Sequence, residues 1–331
     1  MTHNKEDHVP QAYKYAWYED SPAMPLHEFL NKFKPSMVQN DGTKPWLWVR
    51  SSRLNPTSVE KEILALGEAA EVLKTVTETI ESVKNDESIP LRSNKKTGAK
   101  SKKEVREQLQ AEAADQFKQI AQKYGYVGGK WLIFAPHDKV DLIWSNLAKS
   151  LIEGPLAVTN AYVTKVSTSP ENDIPNYQHV ICMYVPDVYD KNSVTEVMKV
   201  LLRNHGCTLS GVKSDMYTCL GIDSKHPSGM QSTIWKNSAL MQDSDSKALR
   251  DEFYAELRAP KATDPSPTTS TAPDAAKPKN RLVKKKQGND DPFASDDEDG
   301  NEVQRSGGNN KRPKEVDDED EPPKKKAQKK K

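Results

Sequence analysis

Lys213, Asp215 and Tyr217 stand within five positions of one another, which brings an ammonium, a carboxylate and a phenol together. These are the side-chain types of an acid–base group, and they are equally the makings of a turn closed by a salt bridge. No second catalytic signature accompanies them. The chain has no Gly-x-Ser-x-Gly elbow and no HExxH pair. His179 and Cys182 are three apart, on opposite faces of any strand, and His205 and Cys207 are two apart. Without a CxxC pair these thiols read as buried side chains rather than zinc ligands. The run from Gly125 through Gly128, Gly129 and Lys130 has the look of a phosphate loop, but Trp131 stands where Ser or Thr is needed and the run enters a strand rather than a helix. The residues make no case for an enzyme, and no cofactor and no metal are expected.

Binding chemistry is better represented. Trp46 and Trp48, in DGTKPWLWVR, are two apart and share one face of a strand, with Leu47 and Val49 on the other. Such a strand is buried or covers a groove. Tyr13, Tyr15, Trp17 and Tyr18 crowd the N-terminal segment, either as rings packed onto the domain or as a platform on which a base or peptide stacks.

The elements that position these groups centre on GGKWLIFAPHDKVDLIWSNLAKSLIEGPL. Trp131 to Ala135 predict a buried strand and His137-Asp138 a turn. Val140, Ile143, Trp144, Leu147 and Leu151 predict an amphipathic helix, with Asp138 as N-cap and Gly154-Pro155 as stop. The tryptophans of this unit place helix and strand in one body. Upstream, Leu26 to Phe33 predict a short helix, and helices over about 56–83 and 103–124 flank a basic loop, 84–103. Downstream, strands are predicted around 156–166 and 179–185. A helix from Ser193 to about Arg203 follows, capped by a Ser193/Glu196 box and closed at Asn204-His205-Gly206. The stretch LSGVKSDMYTCLGI, a short strand near Ile234-Trp235 and a last helix, Ser244 to Leu257, complete the pattern. The fold class is α+β, with a largely antiparallel sheet and helices on one face. The organisation is an aromatic arm and short helix (1–40), one α+β domain (41–258) with a helical insertion at about 57–125, and a disordered charged tail (259–331).

A formal net charge of +1 over 331 residues hides blocks of opposite sign, so local charge says more about partners than global charge. Three cysteines without framework spacing point to a reducing compartment. The polar N-terminus gives no signal peptide and no apolar run is long enough to span a bilayer, so a soluble intracellular protein with no membrane partner is expected. In the tail, Lys311-Arg312 and, after an acidic spacer, Lys324-Lys325-Lys326 resemble a bipartite nuclear import signal, implying an import receptor as partner and a nuclear and cytoplasmic distribution. Ser295 precedes Asp296-Asp297-Glu298-Asp299, an acidic context suited to phosphorylation.

Three motifs in order, GKWLIF…DLIW…LAKSLIEGPL, HVICMYVPDVYDKNSVTEVMKVLL and KSDMYTCLGI, resemble the uncharacterised family of basophilic leukemia-expressed proteins. That family is similar in turn to the cap-binding translation initiation factor. This resemblance implies a curved antiparallel sheet with helices on the convex side, spanning roughly 40–236. Cap-binding proteins hold a cationic base between two Trp rings. Trp46 and Trp48 match the family's first strand, and Lys165 stands near a phosphate-contacting position. The following sequence, SSRLNPTS, has no tryptophan for the second ring, and no Trp-Glu pair precedes Gly129-Lys130-Trp131, where the nearest preceding rings are Tyr124 and Tyr126. The expected function is non-catalytic RNA or nucleotide binding on the concave side of the sheet. Trp46, Trp48, Tyr126, Lys130, Lys165, Lys213, Asp215 and Tyr217 would form the site, with the basic loop adding salt-dependent affinity. The alternative is a protein-interaction scaffold with a protein partner and no nucleic acid.

Overall fold

The computed structural model describes residues 13–53, 58–172 and 174–259, which belong to one compact unit. The import-signal residues Lys311, Arg312 and Lys324 to Lys326, and Ser295, lie outside the described residues.

The fold is α+β. Six strands, β1 (Ala16–Tyr18), β2 (Trp46–Arg50), β3 (Gly129–Pro136), β4 (Val163–Ser167), β5 (Gln178–Val185) and β6 (Leu209–Ser214), form one mixed sheet in the order β1-β2-β4-β5-β3-β6. Only β1–β2 is parallel; the remaining pairs are antiparallel. The N-terminal segment is therefore more than a packed arm. It adds the edge strand, and Trp17 is buried with its indole N–H donating to the Met24 carbonyl at 2.8 Å.

Because successive side chains alternate across a strand, β3 sends Trp131, Ile133 and Ala135 into the main core, where they meet Leu47 and Val49 of β2, Val166 of β4 and Ile181, Met183 and Val185 of β5. Helices α1 (Leu26–Lys32), through Phe29 and Leu30, α4 (Val140–Glu153) and α5 (Lys191–Arg203) pack into this core. Val194, Val197, Met198, Leu201 and Leu202 of α5 are all buried, each worth about 1.5–3 kcal/mol in transfer from water. Trp131 and Trp144 share this core, and the Trp131 indole N–H donates to the Val194 carbonyl of α5 at 3.3 Å. Strand and helix are thus parts of one body, as their sequence pattern predicts.

The helical insertion is a hairpin of α2 (Val59–Asn85) and α3 (Lys102–Tyr124). Its own core joins Ala65, Ala69, Leu73, Val76 and Ile80 to Ala113, Phe117, Ile120 and Ala121. Ser101 and Glu104 form a capping box at the start of α3, and Gly125 ends it with φ +69. The basic loop between the two helices is turned back on itself by an Asn94–Ala99 bridge.

Several local expectations are corrected. Asp138 does not cap α4: the N-cap is Lys139, with no side-chain bond. Asp190, not Ser193, caps α5, accepting from the Asn192 and Ser193 amides at 3.1 Å each. The segment after Gly154 opens with a 3-10 turn (Pro155–Val158) before β4 begins at Val163. LSGVKSDMYTCLGI divides into a strand and a helix: β6 ends at Ser214, whose hydroxyl accepts from the Met216 amide and starts a five-residue helix, α6 (Asp215–Cys219). Trp235 contributes a single bridge to Val212. The short α7 (Asn237–Leu240) precedes α8 (Asp243–Arg258), which lies against α5 through Arg203, paired with Glu252 at 2.8 Å and with Glu256.

Candidate ligand-binding face

The sheet face opposite α4 and α5 carries an aromatic and cationic layer, with Trp48, Lys130, Lys165 and Tyr184 buried in it and Trp46, Arg50 and Lys213 partly exposed around them. Strand pairing aligns it in rows. One row runs Tyr18, Arg50, Val163, Tyr184, Lys130, Lys213 across all six strands. The adjacent row runs Trp48, Lys165, Cys182, Leu132. Trp46 follows on β2, and Trp48 stacks on Tyr184 with ring centroids 6.0 Å apart.

Lys165 is only 2% exposed. Its ammonium lies 4.2 Å from the Trp46 ring centroid, 4.8 Å from Trp48 and 5.7 Å from Tyr184, held over three π faces. Lys130 is similarly enclosed, 5.2 Å from the Tyr184 ring and 3.2 Å from the Asp215 carboxylate at the start of α6. Tyr13 closes one end: its hydroxyl donates to the Trp46 carbonyl at 2.9 Å, and burial pushes its pKa up to about 12. The Trp46 indole N–H is buried and makes no hydrogen bond among the described residues. Gly129 is required beneath the cationic row. A Cβ there would stand 2.4 Å from the Lys213 carbonyl and 2.5 Å from Val188.

Of the residues expected at the site, Trp46, Trp48, Lys130, Lys165 and Lys213 meet on this face, and Asp215 joins through Lys130. Tyr126 and Tyr217 go elsewhere, into the core under the helical hairpin. Tyr217 packs edge-on against Phe117 with centroids 5.6 Å apart. The Tyr126 hydroxyl lies 3.4 Å from Glu62 and 3.5 Å from the Cys219 sulfur, and burial raises its pKa far above the ordinary phenol value. The trio Lys213, Asp215 and Tyr217 is therefore divided between the sheet face and the hairpin core. Arg50 and Tyr184 belong to the face without having been singled out in the sequence. Period-two spacing carries Trp46 and Trp48 on to Arg50, and Cys182 on to Tyr184, which is the signal that finds them.

Among the described residues no group of three His, Cys, Asp or Glu side chains could hold a metal ion. Also among them, no helix is long and apolar enough to cross a membrane.

The molecule is thus an α+β protein with a six-stranded mixed sheet, one face covered by helices and the other lined with rings and cations. The model of the family described as basophilic leukemia-expressed protein Bles03 matches residues 1–219, and the chain belongs to that family. The match takes in β1 to β6 and α6, and with them every residue of the ring-and-cation face.

Proposed function

We propose that this chain is a non-catalytic binding module that takes RNA or a nucleotide on the face formed by Trp46, Trp48, Lys130, Lys165, Lys213 and the adjoining Arg50 and Tyr184. The observation that carries the reading is the alignment of Arg50, Lys130 and Lys213 in one cross-strand row beside the ring cluster around Lys165. Cations in a row match a phosphate backbone, and Trp46, the ring of the cluster's strand that is only partly buried, offers a stacking surface for a base. The cap-binding-like likeness enters in the same coarse sense, as a sheet face that presents rings and cations together. Arg92, Lys95, Lys96 and Lys100 in the loop between α2 and α3 are exposed and would add charge from outside the sheet. The test is fluorescence anisotropy of labelled single-stranded RNA with the full chain at rising salt. Affinity that falls linearly in log–log form supports the proposal, and affinity indifferent to salt defeats it.

A protein-interaction scaffold is the second reading. It is favoured by Val59, Ile63 and Leu64, exposed apolar residues gathered at the start of α2. Recovery of one discrete protein by the full chain, unchanged by nuclease and lost in Ile63→Glu, would select it. The tail motifs extend the proposal to import through Lys311, Arg312, Lys324, Lys325 and Lys326, a nuclear and cytoplasmic distribution, and phosphorylation at Ser295.

A further inference from the structure

A cavity of about 810 Å³ lies at the sheet edge beside β6, walled by α5, α7 and α8. Its volume is that of a small-molecule site. The apolar part is supplied by Phe134, Met198, Leu202 and Leu209. Three polar atoms of its lining, Asn237 Oδ1, Ser246 Oγ and Arg250 Nε, are buried and make no hydrogen bond among the described residues. Buried polar groups are almost always paired, and three orphans lining one cavity call for a common partner.

Their chemistry defines that partner. Arg250 Nε–H can only donate, and to an acceptor such as a carboxylate it donates well. The Asn237 amide is fixed in orientation because its Nδ2 donates to the Leu209 carbonyl at 2.7 Å, so the orphaned atom is the acceptor. Ser246 can do either. Asp243 and Asp251 balance Lys247 and Arg250 around the cavity, a distribution that suits a ligand carrying both polarities better than a bare anion. The α8 carboxylates Glu252 and Glu256 are engaged by Arg203.

We propose that this cavity binds a small carboxylate that also presents an N–H donor on an apolar body, the chemistry of a free or N-acylated apolar α-amino acid. Arg250 holds the carboxylate, Asn237 Oδ1 accepts from the ligand N–H, and Met198, Leu202 and Leu209 take the apolar group.

The experiment is saturation-transfer NMR on the full chain with L-leucine, N-acetyl-L-leucine and L-leucinamide, titrated to about 10 mM, above the dissociation constant expected for ligands of this size. At least one of the two carboxylates should bind, and the amide, which lacks the carboxylate, should bind about ten-fold more weakly or not at all. Free and N-acylated forms are told apart by which carboxylate binds. Arg250→Gln should weaken binding by about ten-fold. Should Arg250→Gln fail to fold, Ser246→Leu, which fills the cavity from an exposed helix, becomes the deciding variant and should abolish binding. The proposal is overturned if neither carboxylate binds the native chain, or if binding survives unchanged in a folded variant. Lys165→Met should leave this binding intact, which separates it from the sheet-face proposal.

Discussion

The Lys165 ammonium sits 4.2 Å from the centroid of the Trp46 ring, inside a sheet face where it is 2% exposed. Desolvated cation–π contacts of this kind are worth about 2 kcal/mol. Lys165→Met keeps the stem and removes the charge. RNA affinity should fall because the ring cluster loses the charge that holds it, while the slope of log affinity against log salt, set by the cross-strand row, should stay near the native value. A variant with native affinity would assign Lys165 to packing alone.

Gly129 joins β3 to its neighbours at a point with no room for a side chain. A Cβ would meet the Lys213 carbonyl at 2.4 Å, Val188 at 2.5 Å and the Ser214 Cα at 2.9 Å. Two of these are backbone atoms, which cannot rotate away. Gly129→Ala should destabilise by about 1–3 kcal/mol through overpacking, measured as a lower urea midpoint at unchanged m-value. A midpoint equal to the native one would mean that β6 shifts freely.

His205 is held neutral. Burial lowers its pKa to about 4, and its Nε2 lies 2.9 Å from the Ser150 hydroxyl, which also accepts from the Leu156 amide at 3.1 Å. In the unfolded chain histidine titrates near 6.5. Between about 6.5 and 4 the unfolded state binds the extra proton, so stability present above pH 6.5 is lost as pH falls and levels off below 4. The loss attributable to this group is of the order of 3 kcal/mol. Denaturant melts from pH 7.5 to 4 should show it, and His205→Gln should flatten the profile across that window.

Arg53 closes the far end of α4. Its guanidinium donates to the Leu151 carbonyl at 2.7 Å, to the Thr159 carbonyl at 3.3 Å and to that of Ala157. These carbonyls belong to the last turn of the helix and the 3-10 turn after it, where a cation also meets the negative end of the helix dipole. Arg53→Ala should cost about 1–2 kcal/mol, and Arg53→Lys should recover little because one ammonium cannot replace the planar fork. Thermal melts of the two variants decide this.

Much of this architecture can be read in the chain, and the unread parts share a physical cause. β3 and α4 are legible because Trp131, Ile133, Trp144 and Leu147 repeat at the periods of a strand and a helix, and the same core buries all four. The start of α5 is misread because Ser193 and Glu196 satisfy the capping pattern in letters, while the backbone turns earlier, at Asp190. α6 is hidden because DMYTC has the composition of a strand, and only the Ser214 cap reveals where the chain bends. Trp46 and Trp48 share one strand face, as their spacing predicts, but their assembly with Lys165, Tyr184 and Lys130 depends on the register of strands far apart in sequence, which local pattern does not encode. Tyr126 and Tyr217 stand apart from this group for the same reason: tertiary packing under the hairpin claims their rings.

The parallel pairing of β1 with β2 has a consequence for any shortened version of the chain. Removal of residues 1–18 would strip the outermost ribbon and leave the backbone amides and carbonyls of Trp46–Arg50 open along one side. An uncovered rim of that kind recruits a second molecule strand to strand. Such truncations should therefore self-associate, and tags or fusions are better carried at the other terminus.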